Sequence, residues 1–435
     1  MIVVLSQGCA ANFGDGEKIA RILSQKSEVS FTFPEPAANG NAANAPEAFY
    51  LNVCTVKGNS GAMKLLRKAA NAYPNVPIFI TGCAPKDFRE EAVRAVPHVQ
   101  FKTLADLEKD PLFIFDSGNA IQDRTRNKSD ETLARHKNVL RESPFVGIVN
   151  IEEGCLDACA FCSTHLVKGR LHSFNANTIV DQVQALVDDG CLEIQLTGQD
   201  CACYGFDIGT NLARLTQKIL THVNGSYRIR LGMGNPRHVI SYKEALLDCF
   251  TDERVYKFIH IPVQSGSERT LKAMNRRHSV EDYATLAKDF TERFNRFTLS
   301  TDLIVGFPGE TAEDFNDTLE LLKATRPTVC NITRFVARPG TVAARLESTA
   351  AVPDPVKHER SAILAEAFQK IALENNREWV GDQCTVVTEK QGYRAGTTIA
   401  RNEAYRPVAL QGSFPAGTTL RVRIKDAEPF ALLAE

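Results

Sequence analysis

Short runs of consecutive apolar residues punctuate this chain, separated by stretches whose apolar positions recur at helical spacing. Ile2–Ser6, Phe49–Val53 and Pro77–Thr81 are the first three runs, and helices are expected to start near Asp15, Asn59 and Pro85. Such runs fit strands covered on both faces, and their alternation with helices predicts parallel α/β layering, a Rossmann-like unit. A second series begins at Phe145, with strands predicted at Val146–Ile151, Leu192–Thr197, Tyr227–Leu231, Tyr256–Ile261, Leu299–Ile304 and Val329–Phe335. A helical pattern follows each. In Thr178–Gly190, Ile179, Val180, Val183, Leu186 and Val187 share one face, with Asn177 as cap and Gly190 as stop. Six successive βα units predict a parallel sheet curled into a partial (β/α)6 barrel, with ligands at the carboxyl ends of its strands.

The remaining segments have other periodicities. Pro355–Val380 is one long helical stretch. The tail then shows Val- and Thr-rich runs at Cys384–Glu389, Gly396–Arg401, Pro407–Leu410 and Thr419–Lys425, which predict a small antiparallel β-barrel. Pro34–Pro46 reads as a surface loop, and Ser117–Ser143, polar and rich in Arg and Lys, as a linker. The expected organisation is therefore residues 1–116, a linker over 117–143, a barrel over 144–379 and a terminal barrel over 380–435.

Composition narrows the class. With 435 residues, 43% apolar and 24% charged, the chain has the make-up of a globular protein with two or three domains. A net charge of −1 leaves any nucleic-acid contact to local patches. No apolar run approaches the roughly 20 residues of a spanning helix, and the start lacks the basic region of a secretory signal. The expectation is a cytoplasmic protein with no membrane partner, whose twelve cysteines are reduced thiols, metal binding being the first reading.

The densest chemistry is the run Cys155-Leu156-Asp157-Ala158-Cys159-Ala160-Phe161-Cys162. Three thiolates at this spacing can hold three irons of a 4Fe–4S cube and leave the fourth iron open to a small molecule. A zinc loop, which would want a fourth ligand, and cysteines with no common role are the alternatives. Cys9, Cys54 and Cys83 are distant in sequence, yet each follows a predicted strand, so a parallel sheet would bring all three to one edge. A second cluster is the functional reading of that set, and buried small apolar side chains the bland one. Cys201 and Cys203 sit beside Asp200, where either a cluster role or local substitution fits. Cys191, Cys249, Cys330 and Cys384 stand alone in apolar contexts and read as core.

These residues together resemble the radical-SAM methylthiotransferases, over essentially the whole chain. The resemblance rests on Ser6-Gln7-Gly8-Cys9, Asn52-Val53-Cys54-Thr55, Thr81-Gly82-Cys83-Ala84-Pro85 and Glu153-Gly154-Cys155-Leu156. It continues in His260-Ile261-Pro262-Val263-Gln264-Ser265-Gly266, Met274-Asn275-Arg276, Asp302-Leu303-Ile304-Val305-Gly306-Phe307-Pro308-Gly309 and Arg338-Pro339-Gly340-Thr341. It implies two 4Fe–4S clusters, at Cys9/Cys54/Cys83 and Cys155/Cys159/Cys162, with S-adenosylmethionine (SAM) cleaved at the latter and sulfur presented at the former. It also implies a terminal TRAM domain that holds tRNA, an electron donor and a sulfur source. Gly198-Gln199-Asp200 stands where the family places its motif for the SAM amino group, with Gln for Gly and Asp for Glu. Ser265, Arg276, Asp302, Ile304 and Gly306 are further SAM candidates under the resemblance, against loop geometry or packing as the alternative.

Leu156, Gly169-Arg170-Leu171-His172-Ser173 and Tyr204-Gly205 resemble the archaeal and eukaryotic branch. That branch acts on N6-threonylcarbamoyladenosine at position 37 of tRNA to give the 2-methylthio derivative. The stop at Glu435 without a membrane tail is expected of an archaeal-type form. The same chemistry on isopentenyladenosine or on a ribosomal protein is the nearest rival, and a non-catalytic iron–sulfur RNA-binding or redox-sensing protein the rival of another class.

Overall fold

The computed structural model describes residues 1–35, 45–54, 60–109 and 140–435. Most of the expected loop at Pro34–Pro46 and residues 117–139 of the expected linker lie outside them. The first sheet is five-stranded and parallel, ordered β2-β1-β3-β4-β5 from β1 (Ile2–Ser6), β2 (Val29–Ser30), β3 (Ala48–Val53), β4 (Ile78–Gly82) and β5 (Gln100–Phe101). Every residue of the central β3 is buried, as a strand covered on both faces requires. Val3, Phe49, Leu51 and Ile80 pack with Leu66 and Phe88 on one face, and Val4 and Tyr50 with Ile19 and Leu23 on the other. The helix Ala10–Leu23 starts directly after Cys9, five residues before the expected Asp15.

Next come β6 (Val146–Asn150), β7 (Glu152–Glu153), β8 (His172–Ser173), β9 (Glu193–Thr197), β10 (Arg228–Leu231), β11 (Phe258–His260), β12 (Thr298–Val305) and β13 (Val329–Arg334). Two parallel ladders, β10-β9-β6 and β11-β12-β13, are joined by an isolated bridge between Ile229 and Val255. The result is the expected six-strand partial barrel, with helices outside and a core built around Val149, Ile194, Leu196, Ile229, Leu299 and Leu364. Helix Ala176–Asp188 is capped by Asn175, whose side chain accepts the Asn177 amide, so Asn177 is inside the helix rather than its cap. The long helix runs Asp354–Arg377. Among the described residues, no helix is long and apolar enough to cross a membrane.

The tail closes as a five-strand barrel, β14-β15-β16-β18-β17, from β14 (Gln383–Gln391), β15 (Thr397–Asn402), β16 (Pro407–Gln411), β17 (Thr419–Glu428) and β18 (Ala431–Ala434). The fold is thus mixed α/β with a terminal β-barrel. That barrel docks on the larger one. Tyr405 lies against Tyr256 and Phe258 and donates to Glu193 Oε1 at 2.8 Å. Buried Arg406 donates to Asn376 Oδ1 at 2.7 Å and Thr328 Oγ1 at 3.1 Å. Arg401 donates to Glu389 Oε1 at 2.7 Å. Tyr405, Arg406 and Arg401 are therefore spent on contacts inside the protein. Tyr393, 94% exposed, and Phe430 remain at the surface.

Candidate metal centres and cofactor site

The first thiol group forms at the carboxyl edge of the first sheet. β1, β3 and β4 pair in parallel register, so the loops after them leave side by side. Cys9 and Cys54 Sγ atoms stand 3.9 Å apart. Two glycines permit that approach. Gly8 has φ +116, and a Cβ there would meet Cys54 Cβ at 2.2 Å. Gly82 has φ +77, and a Cβ would meet Asn52 Oδ1 at 2.4 Å. Asn52 and Asn12 fix the edge from beneath, Asn12 Nδ2 donating to Gln7 O at 2.7 Å and Asn52 O at 2.9 Å. The hydrogen bond with Cys54, together with burial, raises the Cys9 thiol. Burial pushes Cys83 up to about 11 against the opposing charge of Lys168.

The second group is the loop after β6. Gly154, at φ +82, starts it where a Cβ would strike Arg170 O at 2.1 Å. Each part of the loop is tied down from a different element. Gly154 N donates to Gln199 Oε1 at 2.7 Å, Ala160 N to Met274 O at 2.9 Å, and Asn275 Nδ2 to Ala158 O at 2.8 Å. Arg276 reaches Cys159 Sγ at 3.6 Å and anchors its other end on Pro262 O at 2.6 Å. Burial lifts the Cys159 thiol to about 11, and the Arg276 charge works against that rise. Cys203 neighbours the Cys155 thiol and donates to Asp200 O at 3.1 Å, whereas Cys201 turns to Leu196 O at 3.8 Å.

A buried clamp that the sequence reading missed sits in the middle of this loop. Asp157 accepts from Asn235 Nδ2 at 2.8 Å, from His238 Nε2 at 2.8 Å and from Arg237. Burial alone would raise its carboxyl, but the His238 and Arg237 contacts hold it at about 2. Nothing in the local sequence joins Asp157 to residues 235–238; the β10 loop brings them together.

The predicted SAM residues fall into two groups. Asp200 and Ser265 are buried and internally satisfied. Asp200 Oδ1 accepts Asn235 N at 2.9 Å and Ala202 N at 3.2 Å, and its Oδ2 lies 3.7 Å from His238 Nε2. Ser265 Oγ is 3.2 Å from Thr318 Oγ1. Gly198 has no room for a side chain, since a Cβ would meet Glu152 Oε1 at 1.9 Å. Gly306, at φ +74, donates its amide to Glu310 Oε1 at 2.9 Å. Gln199, Arg276, Asp302 and Ile304 keep partial exposure. Asp302 is aligned by His260 Nε2 at 2.9 Å and Asn331 Nδ2 at 2.7 Å.

A partial parallel barrel whose first loop carries three thiols defines a radical-SAM protein, and the model of the Radical SAM superfamily matches residues 149–322. The solved structure of the radical S-adenosylmethionine methyltransferase TsrM from Kitasatospora setae shares the fold, with TM-score 0.51 and 13% identity over 79% of this chain and 73% of that one. A probable threonylcarbamoyladenosine tRNA methylthiotransferase of Archaeoglobus fulgidus is 34% identical over 98% of this chain and 96% of its own length. The Pyrococcus horikoshii protein of the same name is also 34% identical, over 100% of this chain. The Homo sapiens threonylcarbamoyladenosine tRNA methylthiotransferase is 30% identical over 94% of this chain and 69% of its own. This chain belongs to the threonylcarbamoyladenosine tRNA methylthiotransferase family.

Proposed function

We propose that this protein is a radical-SAM tRNA methylthiotransferase that adds a methylthio group to C2 of N6-threonylcarbamoyladenosine at position 37. The observation that carries this reading is the 34% identity, over 98% of the chain, to a relative named for that activity. The two thiol groups at strand ends support it. We divide the chain as residues 1–116, 117–143, 144–379 and 380–435, acting as the sulfur-presenting domain, a linker, the radical-SAM domain and the tRNA-holding TRAM domain. An electron donor and a sulfur source complete the partners, and the cytoplasm is the proposed location.

The donor sets fit the implied groups. Cys155, Cys159 and Cys162 would hold one 4Fe–4S cluster, and Cys9, Cys54 and Cys83 a second. The Cys54 contact at Cys9, and burial at Cys83 and Cys159, favour the protonated thiols, so metal binding must displace those protons. Bound at these thiols, the clusters supply electron transfer to SAM and a site from which sulfur is transferred. The protein's own work is positioning. Arg276 offsets the negative charge that builds at Cys159. The Asp157 clamp and the Gln199–Gly154 bond fix the loop before SAM arrives, which lowers the entropy cost of alignment. With the Asp200 carboxylate spent on Ala202, Asn235 and His238, we assign SAM recognition to Arg276, Asp302, Ile304 and the backbone at Gly198, Gln199 and Gly306.

The test separates the two thiol sets. Replacing Cys155, Cys159 and Cys162 with Ala is expected to abolish 5′-deoxyadenosine formation. Replacing Cys9, Cys54 and Cys83 is expected to leave SAM cleavage and abolish methylthio product. Loss of cleavage in both variants, or product from either, would contradict the assignment.

A further inference from the structure

Lys168 is a cation that sequence reasoning passed over, and it stands between the two thiol groups. It ends the short helix Thr164–Lys168 that follows the Cys155–Cys162 loop. Its Nζ lies 3.2 Å from Asp15 Oδ2 and 2.9 Å from Glu153 Oε1. Asp15 belongs to the helix that Cys9 starts, and Glu153 lies two residues before Cys155. One ammonium thus ties the element leaving one triad to the element entering the other. Asp15 Oδ1 accepts Asn150 Nδ2 at 3.0 Å, so the same carboxylate is also held from the end of β6. Close packing reinforces the joint, because a Cβ on Gly14 would meet Ile148 Cγ2 at 2.9 Å. The Lys168 and Asp15 side chains are only 17% and 14% exposed, so solvent screens this pair far less than an ordinary surface bridge.

We propose that Lys168 is a positioning residue for sulfur transfer: its ammonium locks the N-terminal thiol set against the radical-SAM loop. The proposal rests on the reading that Cys9, Cys54 and Cys83 hold a second cluster. Lys168 touches neither SAM nor the transferred sulfur. It acts through Asp15 and Glu153. Removing it should therefore leave SAM cleavage running while sulfur delivery fails.

The test uses full-length reconstituted enzyme and three variants. Lys168→Gln removes the charge, Lys168→Arg keeps it, and Glu153→Gln loosens one anchor at an exposed position. Iron per chain, 5′-deoxyadenosine and methylthio nucleoside are measured. Lys168→Gln is expected to keep about eight irons per chain and SAM cleavage within about twofold of the parent. Product per 5′-deoxyadenosine should fall about tenfold, which is about 1.4 kcal/mol. Lys168→Arg should restore the product ratio, and Glu153→Gln should fall between. An unchanged product ratio in Lys168→Gln, with two clusters present, would overturn the role of Lys168 alone. A parallel loss of cleavage and product would reduce Lys168 to a folding contact and overturn it equally. A parent protein holding only about four irons would overturn the two-cluster reading itself, and this proposal with it.

Discussion

Gly8→Ala tests the N-terminal metal centre most sharply, because the added methyl has nowhere to go. Its Cβ would lie 2.2 Å from Cys54 Cβ and 2.8 Å from Cys54 Sγ. Carbon atoms rest about 3.5–4.0 Å apart, so Cys54 must retreat by roughly 1.5 Å. Metal–ligand distances tolerate only about 0.2 Å. The backbone adds to the cost, since φ +116 is a conformation that L residues rarely adopt, at of order 1–3 kcal/mol. Gly190→Ala separates the two effects: its φ is +88, but its Cβ would find nothing within 4 Å. Iron and acid-labile sulfide analysis should show Gly8→Ala dropping from about eight irons per chain to about four. SAM cleavage at the other loop should survive, and Gly190→Ala should keep the full complement. Retention of both clusters by Gly8→Ala would refute the reasoning that these thiols must converge at this edge.

The other predictions concern the loop clamp and the domain joint. Asp157→Ala takes the carboxylate from Arg237 and leaves buried His238 only the more distant Asp200, and should destabilise the apoprotein by about 3–5 kcal/mol; denaturant unfolding of metal-free protein reads this, and a loss under about 1 kcal/mol would mean the clamp is not holding the loop. Glu17 is pushed by burial to about 7, so the folded chain holds a proton that the unfolded chain releases near pH 4.5. Its contribution therefore weakens as pH rises through that window, by at most roughly 3 kcal/mol. Glu17→Gln should raise the melting temperature at pH 8 and do little at pH 5; an equal gain at both would contradict the assignment. Cys203→Ala removes the thiol beside Cys155 without touching a proposed ligand, and should leave iron content and SAM cleavage within about twofold of the parent. A loss of about four irons would make Cys203 a cluster residue.

β1 and β3 were legible because a strand covered on both faces is nearly all apolar, whereas β9 and β12 mix in polar residues such as Glu193, Gln195, Ser300 and Asp302 and were marked by the helical pattern that follows each. Element ends were less so. Cys9 precedes helix Ala10–Leu23 with no side-chain cap bond, so nothing announced a start before Asp15. β18 went unread because Ala431–Ala434 lacks β-branched residues, and it closes the barrel by parallel pairing with β16. The thiol sets could be recognised from spacing and from strand-end position. The surroundings of Asp200 could not. Its carboxylate looked free beside Gly198 and Gln199, yet the β10 loop, more than thirty residues on, supplies Asn235 and His238 to occupy it. Lys168 gave no signal at all, since its partners come from opposite sides of a joint between two folded units.

The most direct test of the central claim is nucleoside mass spectrometry on tRNA after anaerobic reaction with reconstituted protein, SAM, reductant and sulfide. Threonylcarbamoyl- and isopentenyl-modified tRNAs would be offered in parallel. The account predicts a methylthio mass gain on the threonylcarbamoyl nucleoside alone. Gain on the isopentenyl nucleoside, or SAM cleavage with no gain on either, would contradict it.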